Sequence, residues 1–155
     1  MRGKKSPRKP ITPDPIYKSK AVTRMVNSIM LAGKKSTAQK AVYGAISMLS
    51  DDRKEALSAF EDAIKKVMPA QEVRSRRVGG ATYQVPTPVK HERSEALAVR
   101  WIIDAARAKK GKPIIEKLHE ELKNAHEGVG SAIKKRDDTH KMADANRAFA
   151  HFARF

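Results

Sequence analysis

Apolar residues recur every three or four positions from about residue 19 onward, which is the period of a helix with one buried face. Six such stripes follow one another, so the pattern predicts six helices. The last stripe, which contains Met142, Ala145 and Phe149, is preceded by two polar turns. In chain order, the six stripes begin at Val22, Ala38, Leu57, Leu97, Ile114 and Met142.

Capping residues and helix breakers separate these stripes. Gly33 is expected to end the first helix, and Ser36 with Gln39 fits a capping box for the second. Asp51 or Asp52 is the expected cap of the third helix. The remaining expected boundaries are Pro69, Gly111, Gly128 and the candidate cap Ser131.

The segment from Glu72 to Pro86 breaks the helical period and predicts a β-hairpin. Gly79 and Gly80 can both adopt positive φ, as a two-residue type I′ turn requires. That turn places Arg76 opposite Tyr83, close enough for a joint stacking surface. Alternation puts Arg74, Arg76 and Tyr83 on one face and Arg77, Thr82 and Gln84 on the other. With so little to bury, the hairpin is expected to project from the bundle.

The predicted fold is all-α: a six-helix bundle with a protruding two-stranded β-ribbon and an extended basic N-terminal arm. A length of 155 residues fits a single domain over residues 1–155. Four prolines keep the arm, residues 1–17, extended. The ribbon, residues 72–88, lies between the third and fourth helices, and Pro86 and Pro88 are expected to break its regular pairing.

The net charge of +16 indicates an anionic partner, since the chain has 33 Lys and Arg but only 17 Asp and Glu. Two lysines follow Gly33 near a helix N-terminus. A phosphate-binding site and an ordinary solvated loop explain these lysines equally well. Cations in the first turn of the sixth helix oppose the helix dipole, so an external anion explains them better. Outside the ribbon, the candidate RNA-binding cations are Arg2, Lys4, Lys5, Arg8, Lys9, Lys34, Lys35, Lys109, Lys110, Lys112, Lys134, Lys135 and Arg136.

The residues favour no catalytic or metal-binding chemistry. Cysteine is absent, which removes thiolate chemistry and Cys-ligated metals. His119 and His126 are seven positions apart, too far to share a metal readily. Gly33–Ser36 lacks the glycine and hydroxyl spacing of a P-loop. We therefore expect no enzyme activity, no cofactor and no metal, and the apolar runs are too short to span a membrane.

Two classes of binding protein remain. A basic helical bundle with a β-arm could be an architectural DNA-binding protein, but such arms usually carry an apolar wedge at the tip. The tip here is Gly79-Gly80, which cannot wedge between base pairs. Several separate basic patches suit an irregular folded RNA better than a uniform duplex. Trp101 lies on an apolar stripe and is expected in the core rather than on a base-stacking surface.

Four blocks of the sequence resemble the family of small-subunit ribosomal protein seven, in its bacterial or organellar form. They are Gly33–Lys35, Glu72–Pro86, Ala98–Trp101 and Met142–His151. Lys34, Lys35, Arg74, Arg76 and Arg77 match basic positions of the family's motifs. The chain ends at Phe155 without the longer tail of some members, which leaves tail contacts to tRNA unsupported.

The resemblance implies a role in the ribosome. It implies direct binding to 16S-type rRNA in the 3′ major domain, nucleation of head assembly, and small-subunit proteins nine and eleven as neighbours. The protein is then ribosome-bound in the cytoplasm, with an organellar ribosome also open, and it does not form a homo-oligomer. Residues expected near exit-site tRNA and mRNA are Val78, Gly79, Gly80, Ala81, Thr82, Tyr83, Arg147 and His151.

Overall fold

A computed structural model describes Gly3 and residues 10–154. Within these residues the chain forms six α-helices, a two-stranded antiparallel sheet and a C-terminal 3₁₀ helix. The elements are α1 (Lys20–Ile29), α2 (Lys35–Ser47), α3 (Arg53–Val67), β1 (Gln71–Val78), β2 (Ala81–Pro88), α4 (His91–Ala108), α5 (Ile114–Glu127), α6 (Ser131–Ala145) and the 3₁₀ helix (Arg147–Arg154). The predicted helical bundle with one hairpin is therefore confirmed for the described part of the chain.

Helix α5 is central because it packs against α2, α3, α4 and α6. Its Leu118 and Leu122 are fully buried, beside side chains from the surrounding helices such as Phe60 and Ile102. Helix α2 approaches α5 closely at Gly44, where an added Cβ would lie 3.1 Å from Ile115 Cγ2. The core rests on aliphatic residues, as the low aromatic content requires.

Two of the glycine boundaries are wrong, because α1 ends at Ile29 rather than at Gly33, and α4 at Ala108 rather than at Gly111. In both cases the backbone of the next residue, Met30 or Lys109, is already extended. Other expected boundaries are confirmed. Asp52 caps α3, with its side chain accepting a bond from Lys54 N at 3.1 Å. Gly128 ends α5 in the left-handed conformation, at φ 82°. The two serine caps are wrong: Lys34 is the N-cap of α2 and Gly130 that of α6.

Helix α6 also differs from its predicted pattern. Ala132 and Ile133, in the first turn, are buried in the core, whereas Met142 is exposed. The helix ends at Ala145, so Phe149 belongs to the 3₁₀ helix instead. The first turn of α6 was expected to be polar because its two core residues are adjacent and give no periodic signal.

The hairpin has the predicted register but not the predicted isolation. Arg76 pairs with Tyr83 and Val78 with Ala81 across the strands, and Gly79 and Gly80 have φ of 58° and 88°. The prolines at 86 and 88 do not break the pairing, because both lie in β2 opposite residues of β1. Val85 is fully buried, and both strands contact α6. The base of the ribbon is thus part of the fold.

The C-terminal 3₁₀ helix packs on the ribbon through aromatic rings. The ring centroid of Tyr83 lies 5.2 Å from that of Phe149 and 4.9 Å from that of Phe152. The sequence patterns did not predict these contacts, while Arg76 does lie opposite Tyr83 as expected. A stacking surface that combines the two residues stays a prediction. Offset aromatic pairs at such distances contribute about 0.5–1.5 kcal/mol each beyond their burial.

Candidate nucleic-acid interface

The cations of the ribbon differ in whether they are paired with an acid. Arg74 forms an ion pair with Glu72 on the same strand, and Arg93 of α4 lies 3.4 Å from the other oxygen of that carboxylate. Among the described residues, neither Arg76 nor Arg77 is paired with an acid. Arg77 is exposed and Arg76 partly so. These two guanidinium groups are therefore available to an external anion.

The loop between α1 and α2 presents Lys34 and Lys35 to solvent. Ala32 and Gly33 adopt left-handed backbone conformations at φ 50° and 72°, which turn the chain sharply into α2. Neither lysine is paired with an acid within the described part of the chain. Both lie at the start of α2, where the helix dipole favours an anion.

Helix α4 carries a row of arginines that the sequence patterns did not single out. Arg93, Arg100 and Arg107 occur at every seventh position, are all exposed, and span about 21 Å at 1.5 Å per residue. Two turns of helix separate successive members, so they share one face. We call these three residues, with Arg24 and Arg74 beside them, the arginine stripe. The seven-residue spacing was the available signal.

Two open cavities follow the arginine stripe. One of about 520 Å³ is lined by Arg74, Lys90 and Arg93, and one of about 380 Å³ by Arg24, Arg100 and Arg107; both reach Ala96. Acids are present as well, since Arg24 pairs with Glu95. Arg107 also borders an apolar groove of about 550 Å³ that extends to Lys34. Glu92 and Asp104 also line the two open cavities. The surface from the ribbon along α4 to the α1–α2 loop is therefore predominantly basic, with acids between the cations.

The lysines after α4 are largely engaged within the protein. Lys109 Nζ lies 3.1 Å from Glu121 Oε2 and 3.3 Å from Glu120 Oε1, and Lys112 Nζ lies 3.8 Å from Glu120 Oε2. Lys110 is exposed. Lys110 is consequently the best RNA-binding candidate of the three.

The cations at the start of α6 also divide into two kinds. Lys134 and Lys135 are exposed, as expected for ligands of an external anion. Arg136 instead donates to Asp137 Oδ1 at 2.6 and 2.8 Å, and to the carbonyl oxygen of Lys66 at the end of α3. For Arg136 these bonds explain the charge within the protein, whereas the sequence pattern favoured an external anion; binding of RNA by Arg136 stays a prediction.

The residues expected near tRNA and mRNA lie on the ribbon tip and the 3₁₀ helix. Gly79, Gly80, Ala81 and Thr82 are exposed at the tip, with Val78 partly so. Arg147 and His151 are exposed on the 3₁₀ helix that packs on Tyr83, and His151 Nδ1 lies 2.9 Å from the carbonyl oxygen of Ala148. The ribbon and the C-terminal segment therefore form one continuous surface.

The five cations expected in the first nine residues, Arg2, Lys4, Lys5, Arg8 and Lys9, lie outside the described residues. Within residues 10–154, no cluster of three His, Asp or Glu side chains has metal-binding geometry. The described helices include none that is long and apolar enough to cross a membrane.

Comparisons with known proteins identify the family. A family model described as ribosomal protein S7p/S5e matches residues 1–147. Small ribosomal subunit protein uS7 of Fervidobacterium nodosum is 58% identical over 153 residues, covering 98% of this chain and 99% of that protein. The protein of the same name from Pelagibacter ubique is 52% identical, covering 97% of both chains. The chain therefore belongs to the S7p/S5e family of ribosomal proteins.

Proposed function

We propose that this protein binds small-subunit rRNA directly through a basic surface made of the ribbon, the arginine stripe and the α1–α2 loop. Family membership makes it a structural, non-enzymatic ribosomal protein of the small subunit. The observation that supports direct RNA binding is that cations from three separate elements lie along one surface. Among the described residues, those not paired with an acid include Arg76, Arg77, Arg100, Lys34 and Lys35. A bundle stabilised by its own apolar core has no structural need for such a surface.

The distribution of charge favours folded RNA over a DNA duplex. The basic surface follows a helix, a loop and a twisted ribbon, so its cations do not lie on a regular helical path. Folded RNA presents phosphates at irregular angles and exposed bases at loops and bulges, which arginine can both pair with and stack upon. The glycine tip of the ribbon also lacks an apolar wedge for a minor groove.

The finer parts of the proposal come from the family resemblance. The rRNA site is placed in the 3′ major domain, where binding would nucleate assembly of the head. The ribbon tip and the 3₁₀ helix would face exit-site tRNA and mRNA, and proteins nine and eleven of the small subunit would be neighbours. The exposed tip and the continuous surface formed with Arg147 and His151 support this orientation.

Binding to separate rRNA domains tests the main proposal. The protein is titrated against RNA fragments for the 5′, central and 3′ major domains, with duplex DNA of equal length as competitor. We expect tight binding to the 3′ major fragment alone. Equal affinity for all three fragments, or efficient competition by DNA, would refute specific rRNA recognition.

A charge-matched pair of variants tests the surface. Replacing Arg93, Arg100 and Arg107 by glutamine removes three charges from the stripe and should reduce the salt dependence of binding by roughly 0.7–0.9 per lost phosphate contact. The control variant replaces Lys40, Arg53 and Lys54, which are exposed and line neither cavity along α4. Equal losses in both variants would show that net charge alone drives binding.

The ribbon tip is tested in reassembled subunits. Replacing residues 75–84 by a short Gly/Ser linker keeps the buried Val85 and Pro86, so the bundle should retain its helical circular dichroism. We expect such subunits to assemble but to hold exit-site tRNA less well. Unchanged tRNA retention would show that the tip has no part in it.

A further inference from the structure

We infer that Asp14, with Tyr43 as its partner, positions the basic N-terminal segment for RNA binding. The inference rests on the proposed function, since it concerns how a second group of cations reaches the same RNA. Asp14 is the only acid among the first 24 residues, which carry eight Lys and Arg. Its side chain is only 4% exposed, although short carboxylates usually remain in water.

The Asp14 carboxylate is fully used by hydrogen bonds. Oδ2 accepts from the backbone N–H groups of Ile16 and Tyr17, both at 3.0 Å. Oδ1 accepts from the Tyr43 hydroxyl at 2.6 Å, a contact between residues 29 positions apart. The rings of Tyr17 and Tyr43 lie 5.6 Å apart and cover this site. Burial, together with the bond to Asp14, raises the pKa of Tyr43 from 10.0 to about 12, so the phenol remains a donor to a higher pH than an ordinary tyrosine does.

Neighbouring contacts attach the same segment to the bundle. The hydroxyl of Thr23 in α1 donates to the carbonyl oxygen of Thr12 at 2.9 Å. The hydroxyl of Ser19 donates to Glu61 in α3 at 2.8 Å. Backbone bonds join Asp14 N to Ser19 O at 3.2 Å and Lys18 N to Asp14 O at 2.8 Å. Residues 12–19 therefore lie fixed against α1, α2 and α3, and Asp14 holds the turn that makes this possible.

We call residues 12–19, held in place by Asp14, the anchor. The anchor determines where the N-terminal cations leave the bundle. Among the described residues, Thr12 is the first that is hydrogen-bonded to the bundle. Loss of the turn that Asp14 holds would leave Ser19 as the first side chain bonded to it, which lengthens the tether by seven residues. The effective concentration of a tethered group falls roughly as the 3/2 power of tether length, so a change from about 11 to about 18 residues weakens binding by about twofold.

Two substitutions at Asp14 separate positioning from charge. Asp14→Ala removes every acceptor of the anchor, whereas Asp14→Asn keeps an acceptor for the backbone and an amide that can bond the Tyr43 hydroxyl. Both remove the same negative charge. We expect Asp14→Ala to bind the 3′ major rRNA fragment at least about twofold more weakly, and Asp14→Asn to bind at least as well as the original protein. Unchanged or increased affinity in both variants would overturn the inference, because loss of the bonds to Asp14 would then not weaken binding.

A double-mutant cycle excludes a general effect on folding. A full-length variant with Arg2, Lys4, Lys5, Arg8 and Lys9 replaced by glutamine removes the cations that the anchor is inferred to position. In that background Asp14→Ala should have no further effect on affinity. The same loss in both backgrounds would show that Asp14 acts only through the bundle and would overturn the inference.

Two further measurements keep the test decisive. Tyr43→Phe removes the 2.6 Å bond to Asp14 and the 3.5 Å bond from Gln39 Nε2. It should weaken binding in the same direction but less, which covers the case that Asp14→Ala does not fold. If the glutamine variant binds as well as the original protein, the inference fails while RNA binding through the arginine stripe stands. If the original protein binds no rRNA fragment, the proposed function fails instead.

Discussion

Glu121 should be the acid whose loss most destabilises this protein. Its side chain is fully buried in α5, and Oε1 accepts from the backbone N–H of Ala132 at 3.0 Å. Gly130, the N-cap of α6, has no side chain to make this bond, so Glu121 caps α6 from another helix. Oε2 lies 3.1 Å from Lys109 Nζ, but the angles between the two groups are not those of a hydrogen bond. Their attraction is therefore that of two opposite charges.

The expected cost of Glu121→Ala is about 3 kcal/mol. Breaking a buried ion pair costs about 3–5 kcal/mol, and loss of a helix cap about 0.5–2 kcal/mol. Both costs fall on one carboxylate and are not simply additive. The lower end of the ion-pair range applies, because Lys109 keeps Glu120 at 3.3 Å. For a protein of this size each kcal/mol lowers the melting temperature by about 2–4 °C, so we expect a decrease of about 6–12 °C by differential scanning calorimetry.

Glu120→Ala is the matched control. It removes the neighbouring carboxylate, which is 45% exposed and pairs with Lys109 and Lys112 on the surface. Exposed pairs contribute about 0–1 kcal/mol, so its melting temperature should change little. Glu121→Gln keeps an acceptor for Ala132 and should lie between the two. Equal melting temperatures for Glu121→Ala and Glu120→Ala would refute the assignment of Glu121 as a cap and buried partner.

Three other outcomes are expected. The logarithm of rRNA affinity should fall with the logarithm of salt concentration with a slope of about 4–8, at roughly 0.7–0.9 per phosphate contact, and a slope near zero in filter binding would contradict a phosphate-based interface. Trp101→Ala should destabilise the fold by about 3–5 kcal/mol, because the indole is 7% exposed in the core; a variant that melts normally but no longer binds RNA would make it a stacking residue instead. The pKa of Tyr43 is raised from 10.0 to about 12 in the folded protein. The stabilisation linked to this shift is therefore complete below pH 10 and is lost as pH rises to about 12. Tyr43→Phe should remove this part of the alkaline decrease in the free energy of unfolding, measured by denaturant titration.

Local patterns predicted the elements that depend on local physics. The glycine pair predicted the turn and therefore the whole strand register, because a two-residue loop leaves one way to pair the flanking residues. The apolar stripe around Trp101 predicted its burial. Basic residues of the ribbon and of the α1–α2 loop were found from their type and from the interruption of the helical period.

The features that sequence reasoning missed depend on residues far apart in the chain. Asp14 meets Tyr43 across 29 positions, and Glu121 caps a helix that begins after it, so neither bond has a signature in a short window. The isolation of the ribbon was predicted from its own composition, which says nothing of how α6 and the 3₁₀ helix pack against its strands. The row at Arg93, Arg100 and Arg107 was present as a seven-residue repeat, but each arginine looked like an ordinary solvated residue.

The aromatic contact of the ribbon has a consequence for the order in which the newly made chain folds. Tyr83 is synthesised before α4, α5 and α6, whereas Phe149 and Phe152 follow all three helices. A chain emerging from its own ribosome folds from the N-terminus, so the helical bundle can form while the ribbon still lacks its aromatic support. Completion of the ribbon therefore follows formation of the bundle. Arrested chains that expose residues 1–140 should accordingly show a protease-sensitive ribbon on a protected bundle, and equal protection of both would contradict this order.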